Sequence, residues 1–413
     1  MKVKVIQGTN QIGGCITEIS TNLAKIIIDF GDNLDGSNQL NIPGLTSGTK
    51  QYDAVFITHS HGDHIGNINK ILPDIDIYVE NKGIEIHNII CDFKKEYDKK
   101  IRKDKQPNIK ELIFNQSIII KDIKITPFIV DHSAYNASMF LIEAHNKRIL
   151  HTGDFRMHGR KGALLETTLK EIGNIDLLIT EGTTLSRNTK PYKSEISLQQ
   201  ELKEIIKKYN QVYFICSSTN IDRIVSFYKA SKGSHIFIED LCMSSISSIL
   251  SNIPNSNTFS DVYTYMSEKY RGKKEPYERY RHHIKKVIED IPFDEKFVMS
   301  IKPSMYNDLL NNKDKIKNAC VIYSMWEGYI DERRTDDKTK KIIDDLKSIG
   351  VTDYYQHTSG HADKKALEIM DKLTNPNKVL IIHTDDKENA RDVGLKIFGN
   401  KLLNKNDNEE INV

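Results

Sequence analysis

A short strand-like run, Ala54–Thr58, is followed at once by His59-Ser60-His61-Gly62-Asp63-His64. This HxHxDH pattern constrains the chain more than any other feature. With 14 His in 413 residues, it should arise by chance in about one of a thousand chains of this composition. Imidazole nitrogens and a carboxylate are the donors that divalent zinc favours. Alternate residues leaving a strand point the same way, so His59 and His61 can serve one cation. Asp63 and His64, on the following turn, can then serve a second. The competing explanation is an exposed polar loop in which histidines merely cluster, and the low chance rate weighs against it.

The rest of the chain is a mixture of short β-branched runs and helix-like stretches, which predicts an α/β fold. Strands are expected at Lys25–Phe30, Ala54–Thr58, Ile118–Val130, Ile175–Thr180, Gln211–Cys216, His235–Glu239, Ala319–Tyr323 and Val379–Ile382. A hairpin should join Ser138–Ala144 to Arg148–Thr152 through Asn146-Lys147. Ser194–Tyr209 and His361–Thr374 read as amphipathic helices. Between Leu185 and about Gly350 the composition shifts toward Lys, Ser, Asn and Tyr, then apolar runs resume. One domain inserted into another explains this economically. The expected boundaries are 1–185 and 351–403 for the outer domain and 186–350 for the insertion, with 404–413 a frayed polar tail.

Lys plus Arg is 59 and Asp plus Glu is 57, a net charge of +2, so any basic binding surface must be local. One candidate is Glu268–Lys286, in which eight Lys/Arg outweigh three Glu, with Tyr270, Tyr277 and Tyr280 interleaved. It suits backbone tracking and base stacking and equally suits a solvated helix face. The five cysteines, Cys15, Cys91, Cys216, Cys242 and Cys320, form no CxxC pair, which argues against a disulfide framework or a thiolate zinc site. No apolar core of signal-peptide length follows Met1–Asn10, and no run approaches a membrane span. The expectation is a cytoplasmic protein without a membrane partner.

Further residues extend the HxHxDH loop in chain order. His132 stands in Val130-Asp131-His132-Ser133, Asp154 ends His151-Thr152-Gly153-Asp154, and His383 ends Lys378-Val379-Leu380-Ile381-Ile382-His383. Together with the loop these residues resemble the metallo-β-lactamase superfamily. His357-Thr358-Ser359-Gly360-His361-Ala362 looks like the HxSGHA element of its β-CASP nucleases. Thr152-Gly153-Asp154-Phe155, Thr180-Glu181-Gly182-Thr183 and Ser218-Thr219-Asn220-Ile221-Asp222-Arg223 resemble landmarks of the bacterial and archaeal ribonuclease J group. The chain departs from that group after His383, where Thr384-Asp385-Asp386 stands in place of His-Gly-Glu. That group also carries a further C-terminal domain, while this sequence stops soon after His383.

The resemblance implies a metallo-β-lactamase αβ/βα sandwich with an inserted α/β β-CASP domain. It implies two divalent ions, zinc first and manganese or magnesium as alternatives. His59, His61 and His132 would hold one ion, Asp63, His64 and His383 the other, and Asp154 would bridge them. Asp29, in Ile28-Asp29-Phe30-Gly31, would orient ligands rather than bind metal. His361 would give the leaving oxygen its proton, with Asp63 and the acidic residue of the first β-CASP motif as further catalytic groups. Asp222 is the first choice for that motif residue, Glu239 and Asp240 are alternatives, and a plain helix-capping Asp222 competes with that choice. Ser217, Ser218, Asn220 and Arg223 would grip phosphate oxygens near a helix N-terminus. His357 would support His361, and Ser359 with Gly360 would add a terminal-phosphate pocket.

The implied activity is hydrolysis of RNA, single-stranded, by a two-metal-activated hydroxide. Trimming would run from a 5′-monophosphate end, with endonuclease action also open, as is a homodimer. Three other functions compete: a hydrolase of a small substrate or short or cyclic oligonucleotide, a DNA nuclease, and a non-catalytic RNA-binding protein. The inserted domain and His361 count against the first, His361 against the second, and the complete ligand set against the third.

Overall fold

The computed structural model describes residues 1–34, 41–94, 107–187, 191–250, 262–272, 277–282, 284, 286–330 and 338–413. The chain divides into two compact units. The first comprises Met1–Cys91, Lys95–Tyr192 and Gly360–Val413; the second comprises Lys193–Ser359 with Asp92–Lys94. Around the inserted segment the crossings fall at 192/193 and 359/360, later than the composition shift suggests. Thr352–Tyr355 explains the second difference, because it pairs in parallel with Ala319–Tyr323 and so completes the inserted sheet.

Two mixed sheets build the first unit. One orders Glu410–Asn412, Lys2–Gln7, Ile16–Ser20, Lys25–Ile28, Ala54–Phe56, Asp76–Val79 and Asn108–Glu111. The other orders Lys378–Ile382, Leu177–Glu181, Lys147–His151, Ser138–Ala144, Ile123–Ile129 and Ile118–Ile120. Alternate residues of both sheets meet in one core, with Val3, Ile26, Ile28 and Phe56 from the first and Phe140, Ile142, Ile149, Ile179 and Leu380 from the second. The opposite faces are covered as well. Leu165, Leu169, Leu367 and Met370 of two helices pack on Leu141, Leu150 and Val379, and Ile65, Ile68 and Ile71 pack near Ile27, Val55 and Ile77. Helices outside and two sheets inside make an αβ/βα sandwich.

The tail at 404–413 is not frayed. Its Glu410–Asn412 runs antiparallel to Lys2–Lys4, and Ile411 is buried in the inter-sheet core. One apolar residue between polar neighbours is too faint a period to read from sequence. The run Ile118–Val130 is likewise two antiparallel strands, Ile118–Ile120 and Ile123–Ile129; the turn between them holds Lys121 at φ 55°. The expected hairpin is present, with Ala144 opposite Lys147 and His145 and Asn146 both at positive φ. Two positive-φ residues give the twist that a tight hairpin needs.

In the second unit, seven strands pair in parallel throughout. Their order is Val287–Ile288, Val262–Tyr265, Ile236–Asp240, Phe297–Ser300, Gln211–Ile215, Ala319–Tyr323 and Thr352–Tyr355. The central strand Gln211–Ile215 is buried along its whole length, as expected of a parallel sheet covered on both faces. Ser194 caps the helix Glu195–Ile206 by accepting from Ser197 N. The other expected helix is shorter than 361–374: it spans Lys364–Thr374 with Asp363 as its cap, so His361 precedes it on irregular backbone.

Candidate metal centre

The HxHxDH loop leaves Ala54–Phe56 and turns into a one-turn helix, Gly62–Ile65. It is held from below by Asp29, which adopts φ 61°. The Asp29 carboxylate accepts from Thr58 N at 2.7 Å, from Thr58 Oγ1 at 2.8 Å and from His64 Nδ1 at 2.8 Å. That last bond turns His64 Nε2 inward. Gly31 is required here, because a Cβ at this position would lie 1.7 Å from Asp63 O. Phe30 N and Asp32 N bond the carbonyls of His64 and Gly62 at 2.8 Å each, so the loop is tied to the neighbouring strand.

Three strand ends supply the rest. His132 follows Ile123–Ile129, and its Nδ1 donates to Gly360 O at 2.6 Å. Asp154 follows Lys147–His151, and His383 follows Lys378–Ile382. His383 adopts φ 55° and its Nδ1 hydrogen-bonds with Thr183 Oγ1 at 2.7 Å.

The side chains converge in two groups within the first unit. His59, His61 and His132 can share one ion, and Asp63, His64 and His383 another. Asp154 lies between: its Oδ2 is 3.9 Å from His59 Nε2 and 3.3 Å from His64 Nε2, and its Oδ1 is 3.7 Å from His383 Nδ1. His59 Nε2, His64 Nε2 and Asp154 Oδ1 are buried and make no hydrogen bond. Buried polar atoms without partners are costly, and atoms of this type aimed at one space fit divalent cations.

The electrostatics of the three-histidine group fit a cation, whereas at His64 burial is outweighed by Asp154, Asp29 and Asp63, which hold the imidazole well above its ordinary value. Burial drives His59 and His132 well below the ordinary imidazole value and takes His61 down to about 4. Neutral imidazoles are what a metal requires. Burial opposes ionisation of Asp154, but His383, His64 and His361 outweigh it and hold the carboxyl well below its usual range.

His361 stands beside this centre. Its Nδ1 lies 3.0 Å from Glu181 Oε2 and 3.5 Å from Asp154 Oδ2. Burial lowers its pKa, but the Glu181 carboxylate, then that of Asp154, prevails and raises it to about 9. Glu181 is itself fixed, since its Oε1 accepts from Phe155 N at 2.9 Å and Ala362 N at 3.2 Å. The acidic neighbour of His361 is therefore Glu181, and the residues expected for the first β-CASP motif lie in the second unit. Asp222 lies in the first turn of the helix Ile221–Ser231 of the second unit. Glu239 is buried there against Ser247 Oγ, and Asp240 is engaged by Lys302. The signal for Glu181 was its position at a strand end within a quoted landmark.

Among the expected phosphate donors Arg223 is committed elsewhere, whereas Asn220 and Ser218 are engaged as acceptors. Arg223 is fully buried, spends its guanidinium on Glu195 at 2.9 Å and on backbone carbonyls, and is not a free phosphate donor. Asn220 caps its own helix by accepting from Arg223 N, Ser218 Oγ accepts from Lys302 Nζ, and Ser217 Oγ bonds Thr219 Oγ1. His357 Nδ1 donates to Ser324 O at 3.3 Å, and Ser359 is buried. Gly360 serves the centre through its carbonyl. In the basic stretch, Tyr270 and Tyr280 pack on Phe93, with Tyr277 in the same cluster. They are partly buried against one another, while Lys269, Arg279, Arg281 and Lys286 are exposed; Lys273, Lys274 and Lys285 lie outside the described residues.

Residues 25–211 match the family described as Beta-lactamase superfamily domain. A probable RNase MJ4 of Methanocaldococcus jannaschii is 28% identical over 214 residues, which is 48% of this chain and 49% of that protein. The ribonuclease J of Mycoplasma pneumoniae is 25% identical over 238 residues, 54% of this chain and 40% of that one. The match thus spans about half or less of these relatives' own length. A crystal structure of a protein of unknown function from Enterococcus faecalis V583 is similar over 99% of both chains, with TM-score 0.75 at 21% identity. That likeness concerns the fold alone.

Proposed function

We propose that this chain, which belongs to the metallo-β-lactamase superfamily and is ribonuclease J-like, is a metal-dependent ribonuclease. One observation carries the reading: Asp154 lies between two three-residue donor groups, within 3.9 Å of His59 and 3.3 Å of His64, and the His361–Glu181 pair stands beside them. In this reading His59, His61 and His132 would hold one divalent ion and Asp63, His64 and His383 a second, with Asp154 available to either. Zinc suits the donor set first, with manganese or magnesium as alternatives. Bound there, the ions would lower the pKa of water and offset charge gathering on phosphoryl oxygens.

The protein's own residues supply the remaining work. The imidazolium of His361 delivers a proton to the leaving sugar oxygen. Glu181 keeps that imidazole charged and fixes its ring. Asp29 and Thr183 orient His64 and His383, as partners of ligands generally do. Lys269 and Lys286, with Arg279 and Arg281 paired to Asp92 and Glu278, contribute positive charge for the phosphate backbone. The inserted unit corresponds to a β-CASP domain, the substrate is single-stranded RNA, and trimming runs 5′ to 3′. Names of the relatives that contain RNase support RNA over DNA.

The test uses metal-replete protein and a 5′-monophosphorylated RNA labelled at its 3′ end. Progressive shortening, absent with Asp63→Ala and on matched DNA, is the expected result. Fixed internal cuts would move the activity to endonuclease. No cleavage with zinc, manganese or magnesium would favour a small-substrate hydrolase.

A further inference from the structure

His383 closes its strand at φ 55°, a conformation that a non-glycine residue keeps only where its surroundings determine it. Its amide is held from outside the strand, since His383 N donates to Gly8 O at 2.7 Å. Gly8 sits at φ 129°, a region that favours glycine, and a Cβ there would lie 3.1 Å from Cys15 Sγ. The loop that begins at Gly8 also reaches a second donor. A Cβ on Gly13 would lie 3.1 Å from Asp63 Cβ. His383 and Asp63 belong to one donor group.

Residues from the tail at 404–413 fix this loop. Asp407 Oδ1 accepts from Thr9 N at 2.9 Å and from Thr9 Oγ1 at 2.8 Å, and Thr9 is only 3% exposed. To one side of these bonds, Asn408 N donates to Val5 O at 2.7 Å and Glu410–Asn412 pairs with Lys2–Lys4. To the other, Asn10 Oδ1 accepts from Lys387 N at 3.3 Å, in the segment after His383. Residues 8–10 are therefore gripped between the tail and the His383 turn, all within the first unit. Losing the Asp407 oxygen would leave a buried N–H and a hydroxyl without their acceptor, which is costly.

We propose that Asp407 is a positioning residue: by fastening Thr9 it keeps Gly8 O on the His383 amide, and so holds His383 in place for the ion of its donor group. It rests on the metal reading for its binding consequence only. Asp407→Asn keeps the acceptor oxygen and removes the charge, whereas Asp407→Ala removes both.

Both full-length variants are titrated with zinc from the metal-free state, with bound ions counted by native mass spectrometry. Amide exchange is followed at His383 in the 380–390 peptide. In Asp407→Ala we expect affinity for one of the two ions to fall about tenfold while the other holds within about twofold. Exchange at His383 should quicken about tenfold, and Asp407→Asn should match the wild type in both readouts. Unchanged exchange overturns the proposal, and so does equal weakening of both ions or of neither. Asp407→Asn behaving like Asp407→Ala overturns it as well, because charge rather than the hydrogen bonds would then be at work. Where Asp407→Ala fails to fold, Thr9→Val keeps the amide bond and drops the hydroxyl; a smaller shift in the same direction is expected, and none overturns the proposal. If the wild-type protein binds no second ion, the metal reading fails and exchange at His383 alone decides the fastening.

Discussion

The Glu181 carboxylate does for His361 what Asp29 does for His64: it fixes a ring and biases its charge. Removing it separates these effects. In Glu181→Gln we expect kcat to fall about 100-fold or more while metal content, read by elemental analysis, is unchanged. The carboxylate raises the imidazole pKa to about 9, so its loss lowers that pKa. The acid form then disappears at lower pH, and the alkaline limb of the kcat profile should move down. Asp29→Asn should instead weaken metal binding about 10- to 100-fold, measured by titration calorimetry. Much of this was legible in the sequence, because HxHxDH places four donors within six residues and His132, Asp154 and His383 each close a strand. Glu181 was marked only by its strand-end place in Thr180-Glu181-Gly182-Thr183, because its partner His361 lies 180 residues away. Arg223 misled for the opposite reason: a basic residue at a helix start reads as a phosphate donor until its burial is known.

Elements deliver these residues by close approach. The metal loop and the Phe30–Asp32 segment touch backbone to backbone at Gly31, where a Cβ would meet Asp63 O. Gly31→Ala should therefore cost about 2–4 kcal/mol in chemical denaturation and displace Asp63, whereas the glycine at 48, where a Cβ meets nothing, faces no such clash. The elements that read clearly were those with strong period or capping, such as Glu195–Ile206 with Ser194 before it. Those that did not were decided by long-range pairing. Glu410–Asn412 becomes a strand because Lys2–Lys4 offers an edge, and Thr352–Tyr355 joins the inserted sheet because Ala319–Tyr323 does.

The whole molecule ties its stability to its chemistry. In its first unit burial keeps His59, His61 and His132 neutral, and His61 is held at about 4 against an ordinary 6.5. Between those values the unfolded chain binds the proton and the folded one does not. Stability of the metal-free protein is therefore lost as pH falls through that window, and His61→Gln should flatten the dependence of thermal midpoint on pH. Protonation also competes with metal, so affinity falls in the same direction. The central claim is a two-ion centre that cleaves RNA. Its most direct measurement adds zinc or manganese stepwise to metal-free protein, following RNA cleavage and bound ions by native mass spectrometry. We predict that cleavage emerges with the second equivalent and that Asp154→Ala never holds both ions. Full cleavage with one ion or none, or two ions held equally well without Asp154, would contradict the account.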